Sequence, residues 1–171
     1  RVLILQEGAK IAQYDTPETI LAAPANDFVE DFVGSGSALK QLTLSRVSEV
    51  ELQQRPTAVV GEASKEAVAR AEAAGERSVI VLDDRRRPVA WRFNREVARH
   101  DKVQPGDRET LVTVDQRATL NDALDTMLAS SHGGVIVCDS RDQYLGVVDF
   151  ESVTDHMRTV EQEAVASREA S

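Results

Sequence analysis

The stretch Ser78-Val79-Ile80-Val81-Leu82-Asp83 is written twice in this chain. It returns as Gly134-Val135-Ile136-Val137-Cys138-Asp139, 56 positions later. Working outward, Val89-Ala90-Trp91-Arg92 falls on Leu145-Gly146-Val147-Val148, and Val97 falls on Val153. Residues 56–97 align on residues 112–153 without a gap. Self-similarity at a fixed period is settled before any local reading, because a repeat sets the architecture. Two copies make a pseudo-symmetric pair and not a solenoid. Such a pair is a scaffold for binding between or within its halves.

The order of elements is clearest in the second copy, where the signals are stronger. Leu111-Val112-Thr113-Val114 predicts a short strand. Thr119 with Asp122 three residues on predicts a capping box. Leu120, Ala123, Leu124, Met127 and Leu128 recur at helical spacing, and Gly133-Gly134 is read as the stop. Val135–Cys138 predicts a buried strand, Asp139–Asp142 a turn, Tyr144–Val148 a partner strand, and a helix is expected from about Glu151. The first copy repeats the order with a weaker, Ala-rich helix at Val68, Ala71 and Ala74.

Ahead of the repeats, Val2–Gln6 predicts a strand, Glu7-Gly8 a turn and Lys10–Gln13 the return strand. Thr16 caps a helix that starts at Pro17, where a missing N–H costs nothing. Asn26 or Asp27 caps a second helix, with Phe28, Val29, Phe32 and Val33 read as one apolar stripe and Gly34 as its stop. Residues 35–43 are read as a linker: Ser35-Gly36-Ser37 is flexible by composition, and Leu39 and Leu42 suggest a short helix. Leu44, Val47, Val50 and Leu52 are expected to pack on the repeats. The expected division is 1–34, 35–43, 44–104 and 105–160 for the two repeats, and a flexible tail at 161–171. The start at Arg1 reads as a cut inside a longer protein.

Composition excludes several classes of function. The 171 residues carry a net charge of −9, which argues against a nucleic-acid partner. Apolar residues make up 42% and aromatics only 4%, so the core must be aliphatic. Cys138 is alone, which excludes an internal disulfide. No run is long enough to span a membrane. His100, His132 and His156 lack metal-ligand spacing. No phosphate-binding loop and no nucleophile–base set is present, so no catalytic residue is assigned. Seven Arg or Lys between Arg85 and Lys102 make a local basic face.

The repeat unit, an aliphatic strand ending in Asp followed by Gly-aliphatic-aliphatic, resembles the cystathionine-β-synthase (CBS) domain. The resemblance covers residues 44–160 and implies an α+β fold, a tandem pair of β-α-β-β-α units. Gly8, Ile11-Ala12-Gln13, Thr16-Pro17-Glu18 and Pro24–Val29 resemble the end of an ABC transporter ATP-binding domain. Together the two resemble the ATPase subunit of osmoprotectant importers of the glycine betaine, proline or carnitine class. That implies a cytoplasmic module at the inner face of the membrane, a homodimer, and permease subunits as partners of the parent ATPase. This chain itself is not expected to hydrolyse ATP.

The resemblance also implies where an effector would sit. CBS pairs hold adenosine-type ligands with a Gly-aliphatic-aliphatic-Thr-x-x-Asp stretch. Here Asp149 stands in place of the Thr and Ser152 in place of the Asp; in the first repeat Phe93 and Glu96 stand there. Asp149 would repel a phosphate, so AMP and ATP are expected to bind weakly. Some relatives bind cyclic-di-AMP at an interface between CBS pairs. On that pattern, Val112, Val114, Val135 and Val147 would meet a purine face, Tyr144 or His132 would stack, Arg141 or Arg158 would meet phosphate, and Thr113 would line the cleft. Asp149 and Ser152 read equally well as turn and helix-cap residues, and the Val residues as plain core. Three functions stay open: a ligand sensor, a ligand-free dimerisation module and a sensor of ionic strength.

Overall fold

The computed structural model describes residues 1–34, 37–106 and 111–169. The expected flexibility at Ser35-Gly36 and the last two residues of the expected tail lie outside that description. The N-terminal segment forms a hairpin of β1 (Val2–Gln6) and β2 (Lys10–Asp15), then helices α1 (Pro17–Ala22), α2 (Asp27–Val33) and α3 (Ser37–Leu42). Thr16 accepts from the Thr19 N–H and Asn26 from the Val29 N–H, so both helices begin on side-chain caps. The α2 stripe divides. Val29 is fully buried beside Ile4 and Ile20, while Phe28 and Phe32 stack on each other and face outward, Phe32 being 67% exposed.

The first repeat runs β3 (Thr57–Val59), α4 (Ser64–Ala73), β4 (Ser78–Leu82), β5 (Pro88–Phe93) and α5 (Asn94–Val97). The second runs β6 (Thr113–Asp115), α6 (Leu120–Ala129), β7 (Gly134–Cys138), β8 (Tyr144–Asp149) and α7 (Phe150–Glu169). Every starting residue is displaced by the same 56 positions. Each repeat is a three-stranded sheet with one parallel and one antiparallel pairing, Thr57↔Ile80↔Trp91 in the first and Thr113↔Ile136↔Val147 in the second. The Asp that ends each aliphatic run shapes the turn after it. Asp83 Oδ1 accepts from the N–H groups of Arg85 and Arg87, and Asp139 Oδ1 from those of Arg141 and Gln143, at 2.8–2.9 Å. Arg86 and Asp142 take the same left-handed φ, 63° and 60°.

After their first residues, Ser78 and Gly134, the central strands are apolar because both of their faces are covered. Val79 and Val81 face the helices of their own repeat, as do Val135 and Val137. Ile80, Leu82, Ile136 and Cys138 alternate to the other side and, with Tyr144 and Val147, form a third core between the repeats. Three expectations are corrected. Leu128 lies off the buried stripe of α6 and is 71% exposed. The helix ends at Ala129, with Gly133 in the loop and Gly134 opening β7. The stretch expected as a flexible tail is helical through Glu169, and its Ala164 is buried.

The connectors carry the repeat further than the sequence alignment does. Ser45–Val47 docks on the second repeat, with Ser45 O accepting from Leu120 N at 3.0 Å and Val47 N donating to Ala118 O at 3.0 Å. Asp101–Val103 docks on the first repeat through the corresponding pairs, Ser64 N to Asp101 O at 3.0 Å and Val103 N to Glu62 O at 2.9 Å. Val47 and Val103 are both buried. Gln53 then exchanges two backbone bonds with Val147, at 2.8 and 2.9 Å. Residues 45–54, which chain order groups with the first repeat, therefore pack on the second, and each repeat receives the segment that leads into the other. Among the described residues no helix is long and apolar enough to cross a membrane.

Candidate functional site: two unlike clefts

The pseudo-symmetry creates two equivalent places beside the inter-repeat core, and the side chains that fill them differ. In one, β5 of the first repeat faces the end of α6 and the start of β7. Val89–Arg92, Leu111, Val112, Ala129–His132 and Val135 are among the residues lining an open cleft of about 440 Å³. Trp91 and Phe93 lie two residues apart on one face of β5. The His132 imidazole stacks on both, at centroid distances of 4.5 and 4.8 Å and interplanar angles of 15° and 20°. Trp91 Nε1 donates to Ser78 Oγ at 2.9 Å, which fixes the indole. Arg95 lies over the Phe93 ring. Arg92 donates to Pro105 O at 2.9 Å.

His132 is held lightly. Its backbone N–H donates to Ser130 Oγ, and Nδ1 lies 3.3 Å from Ser131 Oγ. Nε2 is buried with no hydrogen-bond partner among the described residues. Burial holds the imidazole pKa below its ordinary value, against the opposing charge of Glu96.

At the positions 56 residues away the chemistry changes from rings to ions. Leu111, His132 and Phe93 correspond to Arg55, Glu76 and Asp149. Arg55 donates through Nη1 to Glu76 and through Nη2 to Asp149 Oδ2 at 3.3 Å. The guanidinium fills that place and ties both repeats to the connector. Asp149 Oδ1 accepts from Ser152 N and Oγ, each at 2.9 Å, so Asp149 and Ser152 cap α7.

The residues expected to gather around a ligand therefore scatter. Val112, His132 and Val135 line the open cleft. Phe93 reaches it through the stack, and Glu96 closes the first turn of α5 by accepting from Phe93 N at 3.3 Å. Thr113 is exposed on β6, and Val114 is buried in the second repeat's own core. Tyr144 and Val147 belong to the inter-repeat core. Burial raises the phenol pKa of Tyr144, and its oxygen accepts from Arg55 N at 3.2 Å. Arg141 sits in the exposed β7–β8 turn. Arg158 pairs with Asp155 and borders a groove between α7 and α1. Arg55 and Glu76 were not among the residues singled out by sequence. Laying the repeats on each other at 55/111, 76/132 and 93/149 is the signal that finds them. Among the described residues, no three His, Cys, Asp or Glu side chains are placed to hold a metal.

Residues 107–158 match the family model of the CBS domain. The second repeat is a CBS domain. The first has the same elements in the same order, and the two together resemble CBS pairs of known structure. The CBS domain pair/ACT domain protein of Thermotoga maritima aligns with a TM-score of 0.55 at 14% identity, over 67% of this chain and 97% of that one. OpuCA of Staphylococcus aureus aligns with a TM-score of 0.51 at 17% identity, over 61% of this chain and 92% of that one. In sequence, the chain is 29% identical over 164 residues to the glycine betaine/carnitine/choline transport ATP-binding protein OpuCA of Bacillus subtilis. That match takes in 91% of this chain and 42% of the relative, so the chain spans about two fifths of the relative's length, its C-terminal region. The two repeats are preceded here by a hairpin and short helices.

Proposed function

We propose that this chain is the regulatory part of the ATP-binding subunit of an importer for quaternary ammonium osmoprotectants, and that an adenine nucleotide bound beside Trp91 sets its state. The match to the OpuCA C-terminal region supports the assignment to that class of subunit. The single observation that carries the site is the open cleft between β5 and the α6–β7 loop. Its wall carries the rings of Trp91 and His132, which suit a stacked base, and Arg92, which suits phosphate. At the Asp149 place the Arg55 guanidinium stands between Glu76 and Asp149.

Cyclic-di-AMP is the effector of choice. Its two bases and two phosphates suit two copies of the cleft brought together in a homodimer. Val112, 61% exposed at the cleft, supplies an apolar edge for such a contact. The partners are then a second copy and, through the parent ATPase, permease subunits at the membrane. Calorimetric titration of the chain with cyclic-di-AMP and with AMP tests the reading. Binding of cyclic-di-AMP with Kd below about 100 µM is expected, and AMP binding weaker than that; no heat for either ligand to that limit, about 5.5 kcal/mol of binding free energy, would overturn it.

A second reading draws on Arg55. An ion pair that bridges the repeats while partly open to solvent weakens as salt screens it, so the module would then report ionic strength. Salt-dependent association without any nucleotide selects this reading over the first.

A further inference from the structure

We propose that His132 is a built-in cover over the aromatic wall of the open cleft, and that a planar effector binds by taking its place on Trp91 and Phe93. This rests on reading the cleft as the effector site and states how that site is regulated.

Three observations converge. The imidazole lies nearly parallel to both rings at distances typical of stacked aromatic pairs. It covers the surface on which a base would rest. Second, its Nε2 is buried without a partner among the described residues. A buried polar atom left unsatisfied disfavours this placement of the ring, so the imidazole covers Trp91 and Phe93 without being locked there. The ring meets one hydroxyl, Ser131 Oγ at Nδ1, while Ser130 Oγ holds only the backbone N–H, and Gly133, at φ +71° with nothing within 4 Å of its missing Cβ, gives the loop room to turn. Third, the position one repeat earlier performs the same task by other means. Glu76 holds Arg55 in the equivalent place, so in both repeats the side chain at this one position, or its partner, covers the place where a ligand would rest.

The two fillings differ in strength. Arg55 is held by two carboxylates across three segments, whereas His132 is held by stacking and one loop. Of the two side chains, only the His132 imidazole is displaceable by a neutral ring. A site that is competent only when its plug is out shows a weakened apparent affinity, and removing the plug restores it.

Trp91 is the sole tryptophan of the chain, so its emission reports the stack directly. The test titrates cyclic-di-AMP and AMP into the 171-residue chain and into His132→Ala and His132→Phe, following heat and Trp91 fluorescence. His132→Ala is expected to bind cyclic-di-AMP about tenfold more tightly than the unaltered chain. His132→Phe, which keeps a ring on the stack and removes the unsatisfied nitrogen, is expected to bind more weakly than the unaltered chain. Trp91 emission should change on ligand addition in the unaltered chain and, without ligand, on the Ala substitution. Equal affinities in all three chains would overturn the plug and leave the effector site standing. Weaker binding by His132→Ala with its far-UV spectrum unchanged would make His132 a ligand contact and also overturn it. No binding by any of the three chains would remove the effector site, and the plug with it.

Discussion

Arg55 Nη2 lies 3.3 Å from Asp149 Oδ2, so a connector residue ahead of the first repeat neutralises the carboxylate that caps the last helix. The same guanidinium holds Glu76 of the first repeat. One side chain thus joins the connector, the α4–β4 loop and the head of α7. Replacing it leaves two partly buried carboxylates without their cation.

Arg55→Met is expected to lower the stability of the chain by about 1–3 kcal/mol, as when one partner of a partly buried ion pair is removed. Asp149→Ala should cost about 1 kcal/mol for the lost cap alone, and more because Arg55 is left unpaired. Urea unfolding of both single variants and the double variant gives the coupling between them. A coupling energy of zero would mean that the contact contributes nothing to the fold.

Gly146→Ala tests the docking of the connector. A methyl group there would stand 2.7 Å from Leu52 Cβ and 3.2 Å from Gln53 O, where the connector crosses β8. The connector must shift or the strand must bend, and overpacking of this kind costs about 1–3 kcal/mol. Thermal unfolding should show a clear drop in midpoint; an unchanged midpoint would show that residues 52–54 do not rest on β8 in solution.

Cutting the chain between Gln104 and Pro105 separates the second repeat from residues 45–54, while the first repeat keeps Asp101–Val103. The fragment from Pro105 onward loses Val47 and Val50 from its core and should not unfold cooperatively by circular dichroism. Mixing the two fragments should restore the transition. A fragment that unfolds alone with the stability of the whole chain would contradict the exchange.

His132 gives stability a pH dependence whose sign is set by burial. Its pKa is lower in the folded chain than in the unfolded one, so protonation favours unfolding. The contribution is complete above the ordinary imidazole value of about 6.5 and is lost as pH falls through the folded-state value. Urea midpoints measured from about pH 7.5 downward should fall in that window. His132→Phe, which keeps the stack and cannot titrate, should flatten that part of the profile.

The repeat was legible because its aliphatic strands are buried on both faces and must stay apolar in both copies. The caps at Thr16 and Thr119 were legible because a cap is a local bond. What stayed hidden depends on contacts far along the chain. Nothing near Leu128 says which side of α6 meets the sheet, and nothing near Ser45 says that it pairs with Leu120. The stripe on α2 misled because Phe28 and Phe32 are apolar without being buried. At the site, the family motif drew attention to Asp149 and Ser152, which serve their own helix. The ring stack is made by Trp91, Phe93 and His132, residues from opposite repeats that only the folded pair brings together.

The exchanged connectors make the unit of this protein a two-body object. A single 56-residue copy offers a groove that its own leading segment does not fill, and carries a segment whose groove lies on another copy. Two separate copies would satisfy each other through the contacts seen here, as an intertwined dimer. Joining them in one chain replaces that encounter with an intramolecular one at high effective concentration.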